Sequence, residues 1–403
     1  MEHLDFGQVK IMTTDIEGSA LNQLLDLKKT GIFTTPIRVM PDVHAGAGCV
    51  IGFTAHMTDR IIPNIVGVDI GCGMLAVYLG TDPVNLIQLD EVIRRYVPSG
   101  MNVHAMADGD VYKAFIDSLY CADKLRNKDH IAASMGTLGG GNHFIEIDKD
   151  SMGGHYLVIH TGSRNLGKQV ADIYQHIAIE RMSDVSEAVA EKVAELKAAG
   201  RQAEISDAIK EIKARTPKFS RELAYLQGVD LVAYMHDMRI CQAFAHLNRE
   251  TIAHEILLHM YNSGEVHQMM RSVNTFECIH NYIDDTDMIR KGAIAAHFGQ
   301  KVLIPLNMRD GCILGVGKGN ADWNYSAPHG AGRIMSRAAA KAKIKLEDYQ
   351  DSMRGIYSTT VNQDTIDEAP MAYKPAEEII DAVGETVKIV DILHPIYNYK
   401  AAE

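Results

Sequence analysis

From residue 30 to residue 80 the chain alternates short runs of β-forming residues with glycine turns, and this alternation restricts its fold more than any other feature. IFTTPIRVM, GCVIGFTAHM and GMLAVYLG read as strands, because β-branched and aromatic residues suit a pleated, half-buried surface and glycine ends each run. The same texture returns in HFIEI (143–147), HYLVIH (155–160), VLIPL (302–306) and CILGV (312–316). Stretches with apolar residues at three- and four-residue steps lie between them, at 85–97, 109–126, 166–180, 230–260 and 333–344, and read as helices. Strands and helices interleave along the length, so the expected fold is α/β in the broad α+β sense: a single compact domain of mixed β-sheets flanked by helices. Residues 183–215 differ in texture. Val185, Val189, Val193 and Leu196 form one helical stripe, Ile205, Ile209 and Ile212 a second, and Gly200 separates them. A mostly solvent-facing helical hairpin inserted in the domain is expected there.

The 403 residues are 46% apolar and 23% charged, enough for a sizeable core. The formal net charge of −12 argues against bulk binding to nucleic acid, which feeds on phosphate neutralisation. A nucleic-acid substrate would need a locally basic groove instead. The chain has no apolar run of roughly 18 residues, so no membrane partner is expected. MEHLDFGQVK lacks the basic and apolar regions of a signal peptide. The six cysteines are scattered without a CxxC pair, which argues against a disulfide framework and fits a reducing cytoplasm.

Three motif-like segments are set aside. GAGCVIG (46–52) has one residue too many between its second and third glycines for a dinucleotide fingerprint, and GVGKGN (315–320) lacks the first glycine and the Ser/Thr of a phosphate loop. In HEILLH (254–259) the histidines are five apart, roughly 140° around a helix, and cannot share a metal from one face; ordinary partly buried histidines are expected.

Five other segments place reactive side chains at strand ends or in glycine loops, where they can converge on one rim. In PNIVGVDIGCGM, Asp69 and Cys72 are three apart, either a metal pair or a tight turn around a small buried cysteine. In GGGNHFIEI, a strand would put Asn142, Phe144 and Glu146 on one face and His143 on the other, so that one face serves a metal and the other a nucleotide; a core strand is the plainer alternative. In VIHTGSRNLG, His160 ends a strand and Gly162, Ser163 and Arg164 lead into a helix start, suited to a phosphate or simply a capped start. His280, in FECIHNYI, is either a ligand or a satisfied core histidine. In NYSAPHGAGRIMSR, His329 is followed by Gly330, Ala331 and Gly332, which leave room for a phosphoryl group, with Arg333 expected at a helix start where it can grip phosphate oxygens. Of the 18 histidines, His329 has the best surroundings for a nucleophile. Asp69, Cys72, His143, His160 and His280 are enough ligands for one or two divalent metals of the zinc, iron or manganese kind. Residue chemistry alone reaches metal-assisted phosphoryl or acyl transfer near a reactive histidine.

The segments PDVHAGAGCVIG, GVDIGCGM, GTLGGGNHFIE, HTGSRNLG, HGAGR and DEAPMAYKP resemble, in order and across essentially the whole chain, the RtcB family of RNA ligases. The resemblance implies two manganese ions bridged by Cys72, with Asp69 and His143 on one and His160 and His280 on the other. It implies a guanylate pocket lined by Asn142, Phe144, Glu146, Asn307, Cys312, Tyr373 and Lys400. It also implies that His329 attacks the α-phosphorus of GTP, and that Asp42, Arg164 and Arg333 act near the RNA end or the phosphates. The implied reaction joins an RNA 3′-phosphate or 2′,3′-cyclic phosphate to a 5′-hydroxyl through guanylylated His329, in RNA repair or tRNA splicing. The chain departs from the family pattern at LNMRDGC (306–312), where Asn307 and Cys312 stand at serine positions and Arg309 and Asp310 add charge. It reads as a divergent branch. The expected setting is the cytoplasm, as a monomer, with RNA and GTP as partners and no DNA. A metal-dependent RNA cyclic phosphodiesterase that does not join ends is the alternative activity, and a non-catalytic sensor of RNA ends a third.

Overall fold

Seven antiparallel strands form the sheet that carries most of the expected site residues. The computed structural model describes residues 3–105, 109–183, 186–215 and 220–401. Across this sheet the order is Phe276–Ile279, Gly73–Gly80, His155–Thr161, Phe144–Lys149, Val387–Lys400, Gly311–Gly317 and Lys301–Asn307. A six-stranded sheet runs Leu4–Asp5, Val9–Ile11, Ile37–His44, Ile51–His56, Met288–Lys291 and Asn281–Ile283. Only its Val9–Ile11/Ile37–His44 pair is parallel. The mixed sheet-and-helix architecture is the one expected from the sequence.

Strand alternation gives the seven-stranded sheet two apolar faces, each packed in its own core cluster. On one face Leu75, Val77, Ile145, Ile147, Leu157 and Ile159 meet Ile252, Ala253, Ile256 and Leu257 of the helix Gly228–Met260. On the other, Met74, Ala76, Phe144 and Val158 pack with Ile304, Leu306, Ile313 and Leu393. Full burial of each such aliphatic side chain contributes about 2 kcal/mol, so the long helix is firmly fixed to the sheet. It can therefore act as a rigid backing for polar groups placed on its buried face, and Asn248 and Arg249 are such groups, neither exposed to solvent.

Register gathers the site. Met74 pairs with His160, Phe144 with His160, and Ile279 with Gly73. The residues just before these strands, Cys72 and His143, and the one just after, His280, therefore meet at one end of the sheet. The His280 amide donates to the Cys72 carbonyl at 2.9 Å.

Two helices are shorter than their periodicity predicts. The expected helix 109–126 ends at Asp117, followed by a single turn at Ala122–Lys124. Buried Asp237 accepts the amides of Tyr120 (2.8 Å) and Cys121 (3.0 Å), which removes them from a helical ladder. The expected helix 333–344 begins only at Arg337, because the Ser336 hydroxyl caps it by accepting the Ala339 amide. In the expected hairpin, helices Ser186–Ala198 and Ile205–Arg215 pack on each other, with Gly200 left-handed between them. Leu196 is buried and Val189, Val193, Ile205, Ile209 and Ile212 are partly so; Val185 lies outside the described residues. His254 and His259 are exposed rather than partly buried, and His259 stacks on Tyr96. All six cysteines are free and buried. Among the described residues no helix is long and apolar enough to cross a membrane.

Candidate active site

The chain reaches Asp69 and Cys72 through a tight turn. Gly71 sits at φ +74°, where a side chain would also run into the long helix, its Cβ 2.9 Å from the Gln242 Cα. Asp69 accepts the Ser163 amide at 3.1 Å and faces His143 Nε2 at 3.1 Å. Burial pushes its carboxyl up, but the His143 hydrogen bond and the charges of His143 and Arg164 outweigh burial and hold it below the usual carboxylate range. Cys72 Sγ lies 3.5 Å from His143 Nε2 and 3.4 Å from His160 Nε2, and His160 Nε2 lies 3.4 Å from His280 Nε2.

These atoms form two triads that share one sulfur. Cys72, His160 and His280 converge within 4.8 Å, and so do Asp69, Cys72 and His143. Ligands bound to one cation at roughly 2.0–2.3 Å stand roughly 3.3–3.8 Å apart, so the observed separations fit coordination. Burial and neighbouring imidazoles keep the pKa values of His160 and His280 well below the ordinary value, leaving the neutral form that a metal needs. Burial, then Asp69, pushes the Cys72 thiol well up; a bound divalent cation reverses this by taking the thiolate. His143 Nδ1 meets the Leu138 carbonyl at 2.9 Å and His160 Nδ1 the Asn142 carbonyl at 3.2 Å, so each presents Nε2 to the shared centre. The donor set and spacing fit two divalent cations.

A cavity of about 530 Å³ opens beside the Cys72–His160–His280 triad. Asn142, Phe144, Glu146, Asn307, His329, Gly330, Ala331, Gly332, Arg333, Tyr373 and Lys400 all line it, as does His160. His329 Nδ1 is 2.6 Å from Asp42 Oδ2, and the His329 and His280 ring centroids are 4.7 Å apart. Asp42 is fully buried. The proton between them belongs on Nδ1, which leaves the lone pair on Nε2. Gly332 has a second role besides leaving space: at φ +77° it lets the chain cross the Asp42 backbone, where a Cβ would stand 2.8 Å from the Asp42 carbonyl oxygen.

The far wall of the cavity is a charge cluster around buried Glu368. It pairs with Lys400 at 2.8 Å, Arg337 at 2.9 Å and Arg333 at 3.0 Å, and accepts the Tyr373 hydroxyl at 2.5 Å. Burial pushes Glu368 up, but Lys400 and Arg337 outweigh it and bring its pKa to about 2. Glu146 has no such cation bonded to it, and burial raises it to about 7.

A second cavity, about 470 Å³, lies on the Asp69–His143 side of the paired triads and is lined by Asp69, His143 and Arg164 with His130 and Lys168. Strand alternation explains the pair of cavities. His143 serves the Asp69 side, while Phe144, beside His160 on the next strand, serves the His329 side. His143 thus belongs with the Asp69–Cys72 triad and the second cavity, and Phe144 with the cavity beside His329.

Three sequence expectations are corrected. Arg333 does not start a helix; it sits in a loop bridged to Tyr373, its guanidinium held by Glu368 and the Asp367 carbonyl. Cys312 does not line the cavity; it is fully buried behind Glu146, its Sγ 3.3 Å from Oε1. The Ser163 amide before the helix start is not free for a phosphate, because Asp69 takes it, and Arg164 lines the second cavity, donating to Thr137 Oγ1 at 3.2 Å.

Sequence reasoning missed Glu368, Arg337, His44, Asn248 and Arg249. Asn248 bonds the Gly136 and Thr137 amides and the Gly162 carbonyl, while Arg249 donates to the carbonyls of Gly71 (2.9 Å) and Thr161 (2.6 Å) and pairs with Glu277. These two residues fix the loops that carry Asp69, Cys72, His143 and His160. Their signal was two adjacent polar residues on an otherwise apolar helical stripe.

Two triads that share the Cys72 sulfur, a cavity of about 530 Å³ and a histidine bonded to a buried carboxylate thus stand side by side at one end of the seven-stranded sheet. The family model described as "tRNA-splicing ligase RtcB" matches residues 23–122 and 117–401. The chain is 30% identical to the RNA-splicing ligase RtcB of Escherichia coli strain K12, covering 96% of this chain and 95% of that protein. It is 26% identical to RNA-splicing ligase RtcB2 of E. coli strain ATCC 25922, over 90% of this chain and 86% of the relative. Identity to the tRNA-splicing ligase RtcB of Archaeoglobus fulgidus is also 26%, over 89% and 86%. The chain belongs to the RtcB family.

Proposed function

We propose that this protein is an RNA ligase that joins RNA ends bearing 3′-phosphate or 2′,3′-cyclic phosphate to 5′-hydroxyl ends, using GTP, manganese and a guanylylated His329. The observation that carries this reading is the position of His329: its imidazole is bonded to buried Asp42, faces a cavity of about 530 Å³ and stands beside the His280 ring. That volume suits a nucleotide. Glu146, when ionised, can accept hydrogen bonds from the N1 and N2 hydrogens of guanine, and Tyr373 and Phe144 supply aromatic surface.

Asp69, Cys72, His143, His160 and His280 would hold the manganese, which supplies positive charge to phosphate oxygens. The chain's own groups do the rest. Asp42 keeps the His329 proton on Nδ1, so Nε2 forms the bond to the α-phosphorus as pyrophosphate leaves. Arg333, Arg337 and Lys400, preset by Glu368, face the incoming phosphates. Water opens a cyclic end to a 3′-phosphate. An oxygen of that phosphate then displaces His329 from the guanylate, and the 5′-hydroxyl of the second RNA attacks the activated phosphate and releases GMP. Arg164 and Lys168 in the second cavity present positive charge to an RNA strand on the opposite side.

Incubation with GTP, manganese and two RNAs, one ending in 2′,3′-cyclic phosphate and one starting with 5′-hydroxyl, tests the proposal. A joined product is expected. Opened cyclic phosphate without joining, and without guanylate on the protein, would replace the ligase reading with a phosphodiesterase. Asp42→Asn should leave the fold intact but allow the wrong His329 tautomer. We expect guanylylation to slow by roughly 10³–10⁴-fold, by the logic of other carboxylate-oriented histidines. Single-turnover labelling measures this, and a loss below roughly tenfold would remove Asp42 from the positioning of the ring.

A further inference from the structure

Opening a 2′,3′-cyclic phosphate consumes water, and none of the residues assigned above takes that water's proton. A third cavity, about 400 Å³, is lined by Asp15, Glu17, Lys374, His44, Arg333 and Arg337. The last three also line the cavity beside His329, so the two cavities adjoin. Their common border carries two guanidinium groups and one imidazole.

The His44 ring is oriented by its own backbone. Nδ1 is 2.9 Å from the Asp42 carbonyl oxygen, which can only accept, so Nδ1 carries the proton. Nε2 holds the lone pair and has no hydrogen-bond partner among the described residues. Burial lowers the His44 pKa and outweighs the Asp42 carbonyl, so the ring is neutral at pH 7. A neutral acceptor beside two guanidinium groups suits a hydroxyl or a water better than a phosphate oxygen. The other acids and bases nearby are engaged. Glu368 carries three ion pairs, Glu146 receives Cys312 and Asn398, Asp42 holds His329, and His160 belongs to a triad. Asp15 and Glu17 line only the third cavity, and Glu17 accepts the Ala45 amide at 2.9 Å.

We propose that His44 is a further catalytic residue, the general base for the water that opens a 2′,3′-cyclic RNA end, with the terminal nucleoside in the third cavity and the phosphate between Arg333 and Arg337. This role rests on the reaction proposed above. The water oxygen forms a bond to phosphorus as its proton passes to His44 Nε2. The bond from phosphorus to the 2′-oxygen breaks, and that oxygen takes a proton from solvent. His44 then returns its proton to solvent, and the 3′-phosphate is left facing Arg333, Arg337 and His329 for the next step.

Opening and joining are followed separately. Full-length parent and His44→Asn receive manganese, GTP, a 5′-hydroxyl RNA and a partner ending in either 2′,3′-cyclic phosphate or 3′-phosphate. The asparagine amide can keep the bond to the Asp42 carbonyl but has no basic nitrogen. We expect opening of the cyclic end to slow by roughly 10²–10³-fold, while guanylate labelling and joining of the 3′-phosphate end fall by less than about tenfold. Opening within about tenfold of the parent overturns the assignment, because another base then serves the water. Equal losses of opening, labelling and 3′-phosphate joining overturn it too, since His44 would then act only through Asp42 and His329. If His44→Asn does not fold, His44→Gln takes its place under the same criteria. The ligase reading fails separately. A parent that opens cyclic ends but neither takes guanylate nor joins RNA refutes that reading, while loss of opening in a variant that melts like the parent still supports the base. A parent that joins 3′-phosphate ends but leaves cyclic ends closed overturns the base alone.

Discussion

His329→Ala should leave no guanylate on the protein after incubation with GTP labelled at the α-phosphorus, and should lower end joining by roughly 10⁴-fold or more. The size of the effect follows from the role assigned to the ring. A residue that carries the intermediate covalently cannot be replaced by neighbouring water without losing the whole pathway. The imidazole is also hard to substitute from nearby: His44 meets the Asp42 carbonyl, and His160 and His280 turn their Nε2 atoms towards the triad. The label on the parent protein should be released by acid and retained in alkali, as a phosphorus–nitrogen bond requires. His254→Ala, at an exposed histidine on the long helix, should label like the parent. A label that survives in His329→Ala would place the covalent chemistry on another residue.

Arg249→Met should cost about 3–5 kcal/mol of stability, the range for removing one partner of a buried pair, and lower the melting temperature of a 403-residue chain by roughly 4–6 °C. Arg249 is fully buried, and its loss strands the Gly71 and Thr161 carbonyls as well as Glu277. Gly71 is next to Cys72 and Thr161 next to His160, two of the residues proposed to hold cations, so affinity for divalent cations should fall along with stability. The defect has a pH signature. Burial pushes Glu277 up, but Arg249 and His246 outweigh it and bring its pKa from 4.5 to about 2. A carboxyl lowered by folding contributes stability that is fully present above 4.5 and lost as the pH falls towards 2. The difference between Arg249→Met and the parent should therefore be largest near neutrality and shrink as the pH falls below about 4.5. Thermal melts at several pH values measure it. A melting temperature within roughly 2 °C of the parent at pH 7 would show that the arginine is not the tie described here.

The strands of this fold, and the convergence of the residues in the two triads, were legible because they rest on short-range rules. Alternation in HFIEI correctly separated His143 from Phe144, since period two is a property of the strand itself. The glycines of GVDIGCGM marked a sharp turn around Asp69 and Cys72. Arg333 was misplaced because helical periodicity continues through 333–344, while the Ser336 cap and the bridge to Tyr373, one local and one forty residues away, decide where the helix starts. Cys312 was placed on the cavity wall by a residue correspondence that says nothing about depth; only the pairing of its strand with Val387–Lys400 puts it behind Glu146. Glu368 was hidden for a similar reason. Its partners lie at positions 333, 337, 373 and 400, and no local pattern announces that they meet.

The hairpin formed by Phe144–Lys149 and His155–Thr161 leaves little freedom for change in chain length. One residue added between Gly139 and Phe144 would rotate the strand by half its repeat, turning the imidazole of His143 into the cavity beside His329 and the ring of Phe144 towards Asp69. Both chemistries would fail together, though every side chain were still present. Descendants of this sequence that gain or lose residues should do so elsewhere, as in the paired helices of 183–215, whose described residues lend no side chain to either cavity.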